Sequence, residues 1–171
     1  MMNYRFATKE DLPALVHMSQ QAIANFRARG IKQWQGGEPS EAGLSAAIDR
    51  QVIHVLEEDG TVLGMITVVT GPELSYQTID GKWLNDEPYC AFHRVCVEES
   101  LKGRGIAAKL FSCSEDYARS QGFTNVRIDT HPDNVSMQRA LEKSGFTYCG
   151  GLILREGAEA GDPRIGYQKL L

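Results

Sequence analysis

Residues 95–107 constrain this chain more than any other segment. The run 89–97 is strand-like, is followed by Glu98-Glu99-Ser100-Leu101 and passes into Lys102-Gly103-Arg104-Gly105-Ile106-Ala107. From there to Gln121, Ile106, Leu110, Cys113 and Tyr117 recur at helical spacing, and Gly122 stops the helix. Residues 125–130 are again strand-like. Strand, helix and strand within about forty residues predict a βαβ unit, its two strands parallel and its crossover right-handed.

The loop between the first strand and the helix is suited to an anion. A helix N-terminus presents unpaired N–H groups and a partial positive charge, and residues without bulk let a phosphate approach the backbone. Gly103, Gly105 and Ala107 meet that demand, while Lys102 and Arg104 add charge that suits a pyrophosphate. Each amide bonded to an anionic oxygen contributes on the order of 1.5 to 3 kcal/mol. The plainer alternative is a helix that merely starts at a glycine turn, and the flanking basic residues and upstream strand argue against it. A Walker-type loop is excluded, because Ala108-Lys109-Leu110 lacks the second glycine and the hydroxyl. The dinucleotide fingerprint GxGxxG/A is met literally by residues 103–108, with Asp129 downstream near a strand end. Five residues separate the strand from Gly103, however, and only one βαβ unit is present, so a hydride-transferring oxidoreductase is the weaker reading.

Elsewhere the signals are local. Thr8-Lys9-Glu10-Asp11 reads as a capping-box variant ahead of a helix to about Ala28, and Ser40 caps a short helix carrying Leu44, Ala47 and Ile48. Residues 2–6 form a short strand in this reading. The β-rich runs 51–57 and 61–70, joined through Asp59-Gly60, predict a hairpin. Residues 71–88 are polar and turn-rich, too long for a passive connection, and are a candidate substrate-side loop anchored by Trp83. Pro132-Asp133-Asn134 opens a helix that Gly145 closes, and residues 147–154 and 164–171 complete the sheet as a hairpin. The expected fold is α/β (α+β): a single domain over residues 1–171, with a mixed, mostly antiparallel sheet of about seven strands and helices on both faces.

Composition enters by exclusion. With 171 residues, 42% hydrophobic and 23% charged, the chain fits one globular domain, and a net charge of −4 offers no field for nucleic acid or an anionic membrane. No apolar run spans a bilayer and the N-terminal residues lack a secretory apolar core, so a cytoplasmic location is expected. Cys90, Cys96, Cys113 and Cys149 form no CxxC pair and have no histidine at zinc-like spacing; buried thiols, and no metal, are expected.

The sequence resembles the GNAT superfamily of acetyl-CoA-dependent N-acyltransferases. Their [QR]xxGx[GA] loop matches residues 102–107 except that Lys102 replaces Gln or Arg, and residues 134–146 (NVSMQRALEKSGF) are similar to the family's NxxAxxLYxKxGF segment. The order of elements agrees along essentially the whole chain. The resemblance implies a V-shaped opening between the strand ending at Val97 and the strand ending at Thr130, occupied by acetyl-CoA. In it, the backbone of Val95, Cys96 and Val97 pairs with the pantetheine amides, the loop Lys102, Gly103, Arg104, Gly105, Ile106, Ala107 holds the pyrophosphate, and Asn134 bonds the pantetheine arm. It further implies transfer of an acetyl group to an amine of a small molecule or protein, and, since many relatives are dimers, a homodimer.

Acetyl transfer to an amine needs a neutral amine, a polarised thioester and a proton returned to sulfur; a base and an acid each add about 10² to 10⁴ fold. His93 shares a strand face with Ala91, Val95 and Val97 and is the candidate base; the alternative is a histidine satisfied by hydrogen bonds under a loop. The family's acid is the Tyr of its helical segment, where this chain has Leu141, so Tyr148 on the next strand is the candidate substitute, with a packing tyrosine as the alternative. His131 borders the opening. Gln33, Trp34, Glu73, Asp80 and Glu87 lie in segments that face an acceptor by family analogy. Leu141 in place of the acid also keeps open a non-catalytic module that binds or senses acyl-CoA.

Overall fold

The computed structural model describes residues 1–171, as an α+β chain with an eight-stranded, mixed but mostly antiparallel sheet and four helices. The elements are β1 (Asn3–Phe6), α1 (Leu12–Ala28), α2 (Glu41–Asp49), β2 (Ile53–Glu58), β3 (Thr61–Thr70), β4 (Asp80–Gly81), β5 (Cys90–Val97), α3 (Ile106–Ser120), β6 (Asn125–Thr130), α4 (Val135–Lys143), β7 (Thr147–Ile153) and β8 (Pro163–Leu170). The strand order is β1-β2-β3-β5-β6-β8-β7-β4. Only β5 and β6 pair in parallel, as the βαβ reading requires. The eighth strand, β4, is two residues long and inside the 71–88 segment, too short for any periodicity to reveal. No helix is long and apolar enough to cross a membrane.

The chain divides into two compact units. The first comprises Met1–Val68 and Arg94–Cys113. Its start follows from side-chain bonds: the Asp11 carboxylate accepts the Thr8 amide at 2.7 Å and two Arg5 nitrogens at 2.8 and 3.0 Å, tying β1 to the turn before α1. The Arg5 hydrogen bond is the main reason that the Asp11 carboxyl lies below its ordinary range. Ser40 caps α2 by accepting the Gly43 amide at 3.0 Å. Leu15, Met18, Leu44, Ile48, Ile53, Val55 and Met65 form the core between helices and strands. Burying each such side chain is worth roughly 1.5 to 3 kcal/mol.

The second unit comprises Val69–His93 and Ser114–Leu171. Here β6, β8 and β7 pair antiparallel, Ile128 opposite Tyr167 and Tyr167 opposite Tyr148, with a register shift between Tyr148 and Gly150. One sheet face carries Phe92, Ile128, Tyr167 and Tyr148, because directly paired residues share a face. The other carries Ala91, His93, Arg127 and Asp129, and it is covered by the 71–89 segment. Trp83 and Tyr89 sandwich the Arg127 guanidinium at 4.3 and 4.1 Å, and Trp83 donates its indole N–H to the Tyr76 carbonyl at 2.9 Å. Trp83 therefore anchors this segment, over a space that only Gly166 leaves open.

Candidate active site

In the first unit, β5 runs out through Val95, Cys96 and Val97 into a turn whose position is set by Gln21 of α1. The Gln21 carboxamide donates to the Glu98 carboxylate at 2.9 Å and accepts the Glu99 amide at 3.2 Å. Glu98 also accepts the Ser100 amide at 2.7 Å, and its carboxyl is held below the usual range first by the Ser100 hydroxyl and then by Gln21. The glycine loop follows. Gly103 and Gly105 adopt φ of +82° and +77°, a left-handed conformation that costs other residues about 1 to 2 kcal/mol. A Cβ at either position would meet nothing within 4 Å, so the loop's glycines face open space.

The first bond of α3 runs from the Lys109 amide to the Gly105 carbonyl at 3.1 Å, which leaves the amides of Ile106, Ala107 and Ala108 ahead of the helical ladder. The helix start is seated by Gly64 of β3: a Cβ there would lie 2.9 Å from Leu110, 3.0 Å from the Cys96 carbonyl and 3.3 Å from Ile106. Lys102 and Arg104 are exposed beside the loop. This arrangement presents a row of donors and two cations to solvent. The sequence signalled the loop but not Gly64 or Gln21, which act across long chain separations.

The thiols take no part. Cys96 is buried, donates to the Met18 carbonyl at 3.3 Å, and burial pushes its pKa up to about 12; Cys90 is pushed up to about 11 for the same reason.

In the second unit, β5 pairs with β6 over Cys90–Phe92, and the next residue, His93, points at the 71–89 segment. Its Nε2 lies 2.5 Å from Glu73 Oε1. The His93 side chain is 31% exposed and Glu73 18%, so the pair is sheltered but reachable. Burial would raise the Glu73 pKa, but the hydrogen bond and charge of His93 outweigh it and hold the carboxyl below its ordinary value. Behind the pair, Tyr76 is fully buried, lies 6.4 Å from the His93 ring and donates its hydroxyl to Asp129 at 2.6 Å. Arg164 holds Asp129 at 3.9 Å and Glu159 at 2.5 Å.

Other expected residues have different placements. Asn134 Oδ1 caps α4, accepting the Met137 amide and the Ser136 hydroxyl, each at 3.3 Å. His131 is buried and its Nδ1 accepts the Asp133 amide at 3.0 Å, so it closes the turn before α4; burial, then the Arg164 charge, lowers its pKa. Leu141 is wholly buried. Tyr148 does not join His93: it lies on the opposite sheet face and three strands away from Phe92, roughly 14 Å at the usual strand spacing, with its ring packed against Tyr167 at 5.8 Å. Trp34 meets Phe26 edge-on at 5.6 Å, and Asp80 and Glu87 are exposed.

Comparison with known proteins decides the lineage of this arrangement. Residues 20–146, which span the glycine loop and α4, match the acetyltransferase (GNAT) family. The chain belongs to the GNAT family of acetyltransferases. A GNAT acetyltransferase from Streptococcus agalactiae is 30% identical, with 99% of this chain and 95% of that one aligned at a TM-score of 0.85. A putative acetyltransferase of Salmonella typhimurium, solved with its cofactor acetyl-CoA, is 23% identical over 99% of this chain and 94% of its own, TM-score 0.69. An acetyltransferase of Agrobacterium fabrum is 42% identical over 57 residues, a match that spans 33% of this chain and 39% of that relative's length. As a GNAT protein the chain is an acyltransferase.

Proposed function

We propose that this chain transfers an acetyl group from acetyl-CoA to a primary amine of a small molecule or protein, by direct attack within a ternary complex. The observation that carries the reading is the loop at residues 102–107. Its two glycines have open space beside them, and three amides stand ahead of the first helical bond. These features fit a diphosphate, since each amide-to-anion bond is worth on the order of 1.5 to 3 kcal/mol and a helix N-terminus favours negative charge. The acetyl-CoA bound to the Salmonella relative supports the choice of donor.

In this reading Lys102, Gly103, Arg104, Gly105, Ile106 and Ala107 hold the diphosphate, the backbone of Val95, Cys96 and Val97 aligns the pantetheine arm, and Asn134 contributes to the same ligand while capping α4. A thioester supplies the activated acyl group. Two residues upstream of Val95 on the same strand, His93 accepts the proton that the amine gives up, and solvent returns a proton to the departing sulfur. Binding the reactants side by side supplies most of the rate.

Isothermal titration with acetyl-CoA tests the premise: saturable binding is expected, and Gly105→Glu weakens it through bulk and charge repulsion. Absence of binding at about millimolar ligand removes the proposal, since even weak cofactor sites reach that range. Thiol release across an amine panel tests turnover, and His93→Ala is expected to lower it by about 10² to 10⁴ fold. The buried Leu141 and the distant Tyr148 favour one rival, a non-catalytic acyl-CoA-binding module. Binding without thiol release for any amine would establish that rival.

A further inference from the structure

The second unit covers one face of its sheet with a folded connection, residues 71–89, and that connection carries one acidic side chain inward. Glu73 lies just ahead of the short 3-10 turn Leu74–Tyr76. Its backbone amide donates to the Tyr89 hydroxyl at 2.7 Å, and its carboxylate lies 2.5 Å from His93 Nε2. The turn after it is fixed by Tyr76, which is buried and bonded to Asp129, and by the Trp83 indole on the Tyr76 carbonyl. The carboxylate is thus carried on a braced support, 20 positions along the chain from the histidine it meets.

We propose that Glu73 is a positioning residue for the acetyl-transfer reaction, holding the His93 ring by Nε2–H so that Nδ1 is the nitrogen that takes the amine proton. The inference rests on the reading of His93 as base. A carboxylate can only accept, so a neutral His93 bonded to it carries its hydrogen on Nε2 and its lone pair on Nδ1. The same negative charge stabilises the ring once it is protonated, which lowers the cost of the proton transfer. Glu73 at 2.5 Å and the Tyr76 ring at 6.4 Å face His93, and behind Tyr76 lies Asp129, with Arg164 at 3.9 Å. Arg94, next in the chain, is engaged with Glu38 at 3.6 Å. Glu73 therefore brings a negative charge from the packed segment into direct contact with His93.

Glu73→Gln keeps an acceptor oxygen and nearly the same shape but removes the charge. In ¹⁵N-histidine-labelled full-length protein, wild-type His93 is expected to show the Nε2–H tautomer, and its titration midpoint moves to lower pH in Glu73→Gln. The acid limb of kcat/KM moves in the same direction. Glu73→Asp keeps the charge but retracts it by one methylene; kcat falls on the order of 10² fold through misorientation, with KM for acetyl-CoA unchanged. This second variant serves if the first does not fold. A Glu73→Gln midpoint superimposed on wild type, or an Nδ1–H tautomer in wild type, overturns the assignment whatever the activity. A shifted midpoint with a fully active His93→Ala leaves the Glu73–His93 contact real but removes Glu73 from the reaction, and removes the base reading with it.

Discussion

Lowering the pH from about 7.5 to about 5 should cost this protein about 2 kcal/mol of stability through His54 alone. His54 lies on β2 with 2% of its surface exposed, stacked on Tyr4 at 4.9 Å and 4° and packed against Phe6 at 4.4 Å, both from β1. Burial lowers its pKa from 6.5 to about 4. The unfolded chain, with its histidine near 6.5, therefore binds more protons than the folded one throughout that interval, and stability rises with pH across it. The contribution of neutral His54 is fully present above about pH 6.5 and is lost progressively as pH falls towards 4. Integrating between about pH 7.5 and 5 gives about 2 kcal/mol, and the loss approaches about 3 kcal/mol below pH 4. The assay is urea unfolding of wild type and His54→Phe at both pH values, read as a difference of differences so that other titrating groups cancel. Phe keeps the ring stack and cannot titrate, so the variant should lose about 2 kcal/mol less than wild type on acidification. Equal losses in the two proteins would mean that His54 titrates normally in the folded state, and the burial argument would be refuted.

Four further outcomes are expected. Gly64→Ala should destabilise by about 1 to 3 kcal/mol in urea unfolding, because its Cβ would press on Leu110 and the Cys96 carbonyl. Trp83→Ala should cost about 3 to 5 kcal/mol by the same measurement, and should increase proteolytic cleavage within residues 71–88, since the indole is the bond and stacking partner that holds the segment. Asp11→Asn should be less stable than wild type at neutral pH, with the difference fading as pH falls through the depressed native pKa of Asp11, because that stability exists only while the carboxylate is ionised. Cys90 and Cys96 should resist iodoacetamide in the native protein at about pH 8 and react only after unfolding, as mass spectrometry would show, since burial keeps both as thiols.

Much of the architecture was readable along the chain. The helices α1 and α2, the β2–β3 hairpin, the βαβ unit and the final hairpin all arise from local periodicity, caps and turn residues, which act over a few positions and need no knowledge of the rest. The glycine loop before α3 was legible for the same reason: its glycines, its flanking cations and its place between strand and helix are contiguous. How far Tyr148 lies from His93, by contrast, depends on strand order. β8 inserts between β6 and β7, so a residue that follows α4 closely in the chain ends three strands from β5. Nothing local to residues 147–154 says which strand of the last hairpin lies inside.

The sequence by itself determined the element types, the parallel pair and the glycine-led start of α3, since each is written in residues near one another. Only the tertiary structure decided that Glu73 meets His93, that Gln21 fixes the turn before the loop and that Gly64 seats α3. Contacts across 20 to 78 residues depend on how strands order and where connections fold back, and chain connectivity carries no local mark of either.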